Sequence, residues 1–216
     1  MRKWVCVPMI ALCLLLVSCG GTEKETKDPR QPYRDMDGCR MEAEITCTQF
    51  DRLWTAKLAC DYVPEGETRV EVLAPEHIAG VTAVLQGEEL ALEYEDLCLD
   101  AGSLSAQRIS PVACLPRLMS ALREGWLLED NEEVWEEAPC RRLSLDQTGA
   151  DGGKIVSTVW LCEDGTPLRG EIGVDGEIIL TAEFTDFRFC DTINNQTGET
   201  AADTGGTPGT RYPADA

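Results

Sequence analysis

Apolar and polar residues alternate along the chain from Cys39 onward, and this alternation is the main structural signal in the sequence. In the first run the apolar positions are Cys39, Met41, Ala43, Ile45 and Cys47. A period of two over nine residues predicts a β-strand with one buried face. The alternation resumes over 54–62 after the short turn 49–52, which predicts an antiparallel hairpin. A turn centred on residues 50 and 51 places Cys47 opposite Trp54 and Cys60 opposite Met41.

The same pattern, interrupted by turn-forming residues, predicts nine further strands. They cover 68–73, 81–86, 89–94, 97–99, 126–128, 140–145, 155–162, 168–174 and 177–189. Asp175-Gly176, between the last two, is a strong hairpin signal. The apolar residues of the last strand change phase after Phe184. A β-bulge near Thr185-Asp186 would bring six of them to one face, and these are Ile178, Leu180, Ala182, Phe184, Phe187 and Phe189.

One amphipathic segment interrupts the strands. Ser110-Pro111 offers an N-cap followed by a favoured first helical residue, and Gly125 is a natural end. Between them, apolar residues recur at helical spacing, namely Val112, Leu115, Leu118, Met119 and Leu122. Pro116 is unfavourable inside a helix, so either the helix bends there or its regular part begins at Leu115.

The N-terminus has the pattern of an export signal. Basic residues at 2 and 3 precede an apolar run of about 14 residues, which is short for a membrane-spanning helix. The sequence Leu16-Val17-Ser18-Cys19 that follows resembles the lipobox of bacterial lipoproteins. The resemblance implies cleavage after Ser18 and a diacylglyceryl group on Cys19, and therefore a lipid-anchored protein on the extracytoplasmic side of the cell membrane. The alternative is an ordinary secretory signal with a chance cysteine.

Composition changes between segments and predicts the domain boundaries. Residues 1–18 are the signal peptide, and 19–34 are polar and read as a lipidated, flexible tether, with a short helix around 32–38. The β domain covers 35–191. Residues 192–216 are rich in Asn, Thr, Gly, Asp and Ala and are predicted to be disordered.

The net charge of −20 argues against binding nucleic acid, which needs a basic surface. It favours basic partners, or it serves solubility alone. Eight cysteines follow Cys19, without a Cys-x-x-Cys pair, so zinc-site spacing is absent. An exported protein can carry disulfides, but most of these cysteines occupy apolar strand positions, where a free thiol acts as a small hydrophobe. We favour mostly free thiols.

Nothing in the sequence predicts catalysis, a cofactor or a metal site. The motifs of common hydrolases, nucleotide-binding proteins and metalloproteases are absent, and His77 is the single histidine. The acidic run 129–137 could bind calcium, but it lacks the spacing and central glycine of a calcium loop. A solvated loop, or a docking face for a basic envelope protein, is the better interpretation.

Together, the lipobox, the 39–72 strands, the 110–125 helix and the Phe184-Thr185-Asp186-Phe187 strand resemble the LolA-like lipoproteins of Gram-positive bacteria. The resemblance implies an α+β, mostly β fold, in which a curved antiparallel half-barrel sheet packs on one or two helices over an apolar cavity. Relatives bind acyl chains or lipids, or regulate other proteins, including a clostridial lipoprotein that partners a spore cell-wall amidase.

The candidates for lining such a cavity are Ile45, Trp54, Leu58, Val72, Leu92, Leu118, Leu122, Trp160, Leu180 and Phe184. The alternative for each of them is a filled core. The leading expectation is therefore a non-catalytic, membrane-anchored lipoprotein that binds a lipid or acyl chain. The second is a protein-interaction module that positions or regulates a cell-envelope enzyme. A carrier needs an unfilled pocket, whereas a regulator can have a packed core and an exposed apolar patch rimmed by charge.

Overall fold

A computed structural model describes residues 28–49, 52–104, 109–148 and 153–190. The predicted signal peptide, the lipidation residue Cys19 and the predicted tail lie outside these residues. The described part has two α-helices, α1 (Gln31–Asp35) and α2 (Cys114–Glu124), and 3-10 turns at Glu76–Ile78 and Pro111–Ala113. Its strands are β1 (Cys39–Gln49), β2 (Arg52–Tyr62), β3 (Thr68–Ala74), β4 (Thr82–Gln86), β5 (Glu89–Tyr94), β6 (Leu97–Ser103), β7 (Trp126–Trp135), β8 (Ala138–Asp146), β9 (Ile155–Cys162), β10 (Pro167–Val174) and β11 (Glu177–Phe189).

All eleven strands form one antiparallel sheet, in the order β6-β5-β4-β3-β2-β1-β11-β10-β9-β8-β7. Helix α2 contacts both β2 and β8, which are five strand spacings apart. In a flat sheet that distance is about 24 Å, whereas eleven helical residues span only about 16 Å. The sheet therefore curves around the helix. This confirms the predicted fold class, a mostly β, curved antiparallel sheet packed on helices.

The predicted register of the first hairpin is confirmed. Cys47 pairs with Trp54 and Met41 pairs with Cys60. The predicted bulge in β11 is also confirmed, since Glu42 pairs with Asp186 and Ala43 pairs with Phe184, which leaves Thr185 as the extra residue.

A second bulge in β11 was not predicted. Ile172 pairs with Leu180 and Gly173 pairs with Ile178, so Ile179 is the extra residue there. Ile179 packs against the core, and Ile178 is 57% exposed. The prediction that Ile178 shares the buried face is wrong, because the bulge reverses the alternation at that point.

Helix α2 accommodates Pro116 without an interior kink. Pro111–Ala113 forms a 3-10 turn, and the α-helix begins at Cys114, so Pro116 lies in the first turn, where no intrahelical N–H bond is lost. The helix ends at Gly125 as predicted, and a Cβ there would lie 2.6 Å from the carbonyl oxygen of Ala121. Close backbone contact, rather than a left-handed conformation, requires the glycine.

The end of the predicted tether is part of the domain. Residues 28–34 include the first four residues of α1, and the side chains of Arg30 and Tyr33 are buried. The composition of 19–34 is polar, but Arg30 and Tyr33 have partners within the fold, as described below. The predicted boundary at residue 35 is therefore too late by several residues.

The acidic run 129–137 is not a loop. Its first seven residues belong to β7, which extends well past the predicted end at residue 128. Strand β6 is likewise longer than predicted and reaches Ser103. Both are the edge strands of the sheet, where every residue of β6 is exposed and only Trp135 of β7 is half-buried. Exposure on both faces removes the apolar alternation on which the predictions depend.

Candidate interaction surface

The residues predicted to line a cavity are packed into the fold. Seven are buried, namely Ile45, Leu58, Val72, Leu118, Leu122, Trp160 and Leu180, and three are half-buried against the core, namely Trp54, Leu92 and Phe184. Leu118 and Leu122 come from α2 and fill the concave side of the sheet. A Cβ added at Gly170 of β10 would lie only 2.5 Å from Cδ1 of Leu118, so the helix and the sheet are in close contact at this point.

Trp160 lies on the opposite face of the sheet from the other candidates. Its neighbours in β9, Val159 and Leu161, belong to the buried core on the α2 side, and alternate strand residues point to opposite faces. Trp160 is buried instead under Trp135, with ring centroids 5.8 Å apart, and the guanidinium carbon of Arg169 lies 4.7 Å from the Trp135 ring. The assignment of Trp160 to a cavity is therefore corrected.

Helix α1 and the residue before it pack onto the domain through two buried polar side chains, Arg30 and Tyr33. Arg30 donates from Nε to the carbonyl oxygen of Leu122 and from Nη2 to that of Gly125, each at 2.8 Å. These carbonyls lie at the C-terminus of α2, where the helix leaves acceptors unsatisfied and its dipole is negative. Burial lowers the pKa of Arg30, and Arg34 adds to this effect.

Tyr33 connects the same helix to the β9–β10 turn. Its hydroxyl donates to the carbonyl oxygen of Gly165 at 2.6 Å, and burial raises its pKa. Its ring packs against Phe187 and Phe189.

Strand β7 carries a cross-strand charge network. Arg142 of β8 donates to Glu129 and to Glu133, each at 2.7 Å, and Arg141 donates to Asp130 at 2.7 Å. The four carboxylates of β7, at residues 129, 130, 132 and 133, outnumber these two guanidinium groups. The cross-strand arginines offset part of this charge, and the edge remains acidic.

Glu133 is held in its ionised form. The indole N–H of Trp160 donates to its carboxylate at 3.0 Å and is the main cause that lowers its pKa, while Arg142 also lowers it. The network thus joins β7 to the aromatic cluster of Trp135, Trp160 and Arg169 on the outer face.

A backbone hydrogen bond of Cys162 indicates which way the N–H and C=O groups of Cys162 and Cys140 point. The N–H of Cys162 donates to the carbonyl oxygen of Thr166 at 2.8 Å, toward β10. In an antiparallel sheet the N–H and C=O of one residue point to the same side, and successive residues alternate. Cys140, directly opposite Cys162, therefore forms no backbone hydrogen bond with it and points toward β7.

The same alternation identifies the free backbone groups of β7. Glu133 pairs with Cys140 and points back toward β8. Because successive residues alternate, the N–H and C=O groups of Glu132 and Val134 point the opposite way, away from the sheet. Among the described residues, no strand lies beyond β7 to pair with them. Strand β7 also carries large apolar side chains that are exposed, namely Trp126 at 76% and Val134 at 71%.

A pocket of about 940 Å³ adjoins the end of β7. The segment before α1, the β7–β8 hairpin and the β9–β10 turn form its walls. Carboxylates at residues 28, 132, 133, 163 and 164 line it, together with Arg141 and the apolar residues Pro29, Pro32, Val134 and Pro139. A smaller pocket of about 270 Å³ lies beside Ile45 on β1 and β2.

Other site types find no support in the described residues. They hold no group of three or more His, Cys, Asp or Glu side chains that could bind a metal ion. No helix among them is long and apolar enough to cross a membrane. His77 lies in the 3-10 turn Glu76–Ile78, between β3 and β4.

Only the first three residues of β7, 126–128, were predicted as a strand, and the acidic remainder was not. One signal was present, namely the adjacent arginines at 141 and 142, which follow the acidic run at the spacing of a hairpin. The residues of the turn itself do not predict a hairpin. Glu136 and Glu137 both adopt positive φ, at 46° and 70°. Tight hairpin turns with two positive φ values usually have Asn-Gly or Asp-Gly.

No family model matches the chain, and no curated protein matches it. Solved structures similar to this chain include that of an uncharacterised conserved protein from Thermus thermophilus. It is 12% identical, the match covers 81% of this chain and 91% of that one, and the TM-score is 0.46. A putative outer membrane lipoprotein-sorting protein domain from Vibrio parahaemolyticus is 11% identical over 77% and 91%, with a TM-score of 0.44. A LolA superfamily protein from Nitrosomonas europaea is 10% identical over 76% and 91%, with a TM-score of 0.42. Likenesses at this level carry no argument about the family, ligand or partner of this chain.

Proposed function

We propose that this chain is a non-catalytic protein-interaction module of the cell envelope, anchored through a lipid on Cys19, which binds a basic, extended segment of an envelope protein along β7. The single observation that carries the proposal is the open edge of β7. Its backbone groups at Glu132 and Val134 point away from the sheet, and no strand of the described residues pairs with them. Such a row of unpaired groups can accept an additional strand.

Charge selects the chemistry of the partner. The edge has an excess of carboxylates over arginines, and carboxylates also line the adjoining pocket. Lysine or arginine side chains at alternate positions of an added strand would meet these groups. The exposed Trp126 and Val134 supply apolar contact area, and aromatic residues with arginine commonly dominate binding energy at interfaces.

Binding of an acyl chain stays a prediction. It requires an unfilled apolar cavity, whereas nine of the ten proposed lining residues lie in or against the packed core. The close contact between Leu118 and Gly170 leaves little space between α2 and β10. The packing therefore favours the interaction module over the carrier.

A peptide tests the edge directly. The probe is a ten-residue peptide of alternating lysine and valine, measured by isothermal titration at low salt, and a peptide of alternating glutamate and valine is the charge control. We expect binding of the basic peptide only. Val134→Pro removes the outward N–H while leaving the pairing with β8 intact, because proline is tolerated where the N–H faces solvent. Binding should fall at least about tenfold, the loss of about 1.4 kcal/mol.

Val134→Ala is the matched control, since it removes the apolar side chain but keeps the N–H. We expect this variant to retain most of the affinity. Equal binding of the acidic and basic peptides, or unchanged affinity in Val134→Pro, would contradict the proposal.

The anchor is tested separately. Cells that express the chain are labelled with radioactive palmitate, and we expect label in the membrane fraction that is lost in Cys19→Ala. Unlabelled wild-type chain would contradict anchoring and leave the edge proposal intact.

A further inference from the structure

We propose that Cys140 and Cys162 form a reversible disulfide that fastens the β7–β8 hairpin to β9, with a small-molecule disulfide as the oxidant. The inference goes beyond the proposed function, because it depends only on the geometry and chemistry of β8 and β9.

The sheet register brings the two thiols together. Cys140 and Cys162 are direct partners on neighbouring antiparallel strands, so their side chains leave the sheet on the same face. The bond from the Cys162 N–H to Thr166 makes them a non-hydrogen-bonded pair. Cα atoms in such pairs are about 4.5 Å apart, which lies within the range of about 4.4–6.8 Å found for disulfides.

All eight cysteines of the described residues are free thiols, and this direct pairing distinguishes Cys140 and Cys162 from the other six. Across the sheet, Cys47 faces Trp54 and Leu180, Cys60 faces Met41 and Val70, Cys39 faces Tyr62 and Phe189, and Cys98 faces Glu93. Cys114 is in α2, and Cys190 follows the end of β11. Among the described strands, only Cys140 and Cys162 are direct cross-strand partners.

Exposure gives the two thiols different roles. Cys162 is half-buried and Cys140 is buried, so Cys162 reacts first with an oxidant from solution. Burial raises the pKa of Cys162, and Asp164 and Cys140 raise it further. Burial and Glu133 raise the pKa of Cys140. Since the thiolate is the nucleophile, the reaction should be faster at alkaline pH than at neutral pH.

The chemistry is thiol–disulfide exchange. The Cys162 thiolate attacks one sulfur of the small-molecule disulfide, breaks its S–S bond and releases one thiolate, which leaves a mixed disulfide on Cys162. The Cys140 thiolate then attacks the Cys162 sulfur, forms the Cys140–Cys162 bond and releases the second thiolate. Two protein thiols are oxidised, one small-molecule disulfide is reduced to two thiols, and these take up the two protons.

The bond would close the end of β8 onto β9 beside the 940 Å³ pocket, which both cysteines line. The hairpin that carries the open edge could then separate from β9 only after reduction. Oxidation would therefore fix the position of β7, and reduction would release it.

The test uses the full chain, purified in the reduced state in detergent and incubated with oxidised glutathione at about pH 8.5, where thiolate is available. Remaining thiols are alkylated and the protein is digested with trypsin. Cys140 and Cys162 fall in separate peptides, 124–141 and 155–169, with one cysteine each. We expect these peptides to be joined, at a mass about 2 Da below their sum, and to separate on reduction.

Single variants test the order of the steps. In Cys140→Ser, Cys162 should retain one glutathione, because no second thiol displaces it. In Cys162→Ser, Cys140 should stay unmodified for the same incubation. The proposal would be overturned if disulfides formed only between other cysteines. It would also be overturned if Cys140 and Cys162 remained free thiols after the other cysteines had reacted to completion.

Discussion

Leu118 is the residue whose replacement tests most sharply whether the space between α2 and the sheet is filled. Its side chain is fully buried and lies against Gly170 of β10. We predict that Leu118→Ala is strongly destabilising and that Gly170→Ala is mildly destabilising. We also predict that Gly170→Ala becomes stabilising once Leu118 is already alanine.

The magnitudes follow from the contact. A buried Leu→Ala change costs about 2.7–5 kcal/mol, because apolar contacts are lost and a cavity remains. Adding a methyl group at Gly170 forces Leu118 aside at a cost of about 1–3 kcal/mol, which is offset by about 0.5–1 kcal/mol because glycine is unfavourable in a strand. In the Leu118→Ala background the clash is absent and the methyl group fills part of the cavity, so Gly170→Ala should stabilise by about 1–2 kcal/mol.

Urea unfolding of the four proteins measures these free energies, provided that the slope with urea stays constant. In a domain of this size each kcal/mol also shifts the melting temperature by about 2–4 °C. Gly173→Ala is the matched control on the same strand. Its Cβ would lie 3.5 Å from the nearest atom, an ordinary contact, so its effect should be the same in both backgrounds.

An open cavity predicts a different pattern. If Leu118 lined empty space, Leu118→Ala would cost less than about 1 kcal/mol, because few contacts would be lost. Gly170→Ala would then have one sign in both backgrounds. That result would refute the filled core and restore the acyl-chain prediction.

Three further predictions concern the polar contacts and the hairpin. Arg30→Ala should destabilise by about 2–3 kcal/mol in urea unfolding, because the buried carbonyls at the end of α2 lose a charged donor. The lowered pKa of Glu133 means that its contribution to stability is present above its unfolded-state pKa and is lost as pH falls through the folded-state value. The stability difference between wild type and Glu133→Gln should therefore be constant above about pH 5 and should shrink as the pH falls below the unfolded-state pKa of about 4.3. Replacing Glu136→Asn together with Glu137→Gly should stabilise by about 1–2 kcal/mol, measured by the melting temperature, since those residues suit positive φ.

Each of these has a control. Arg34→Ala breaks an exposed ion pair with Asp28 and should cost less than about 1 kcal/mol. If Arg30→Ala cost no more stability than Arg34→Ala, that result would argue against the packing of Arg30 on α2. A difference for Glu133→Gln that persists at low pH would contradict the pH prediction. The control for the turn is Asp175→Asn between β10 and β11, where Asp175-Gly176 already suits positive φ, so stability should change little. If the double replacement at Glu136 and Glu137 did not raise stability, that result would argue against backbone strain in the β7–β8 turn.

The fold was largely predictable from the sequence, because most strands have one buried face. Alternation from Cys39 to Cys47 determined both the strand and its register with β2. The phase change after Phe184 located the bulge at Thr185. The Asp175-Gly176 hairpin was predictable because those residue types suit the backbone conformation that the turn requires.

The candidate site was less predictable for physical reasons. Strand β7 is exposed on both faces, so its sequence has no period of two, and the acidic run read as a loop. Its turn uses Glu136-Glu137, which gives no turn signal. Trp160 was placed on the wrong face, because burial of an aromatic residue under Trp135 and Arg169 on the outer face cannot be distinguished by residue type from burial in the core.

Amide hydrogen exchange of the chain with and without the lysine–valine peptide, resolved by NMR, tests whether β7 accepts an added strand. An added strand must accept hydrogen bonds from the outward N–H groups of β7. We predict strong protection of the Glu132 and Val134 amides on peptide binding, with little change at the opposite edge, β6. Peptide binding that leaves these two amides as exchangeable as in the free protein would show that the peptide does not add to β7.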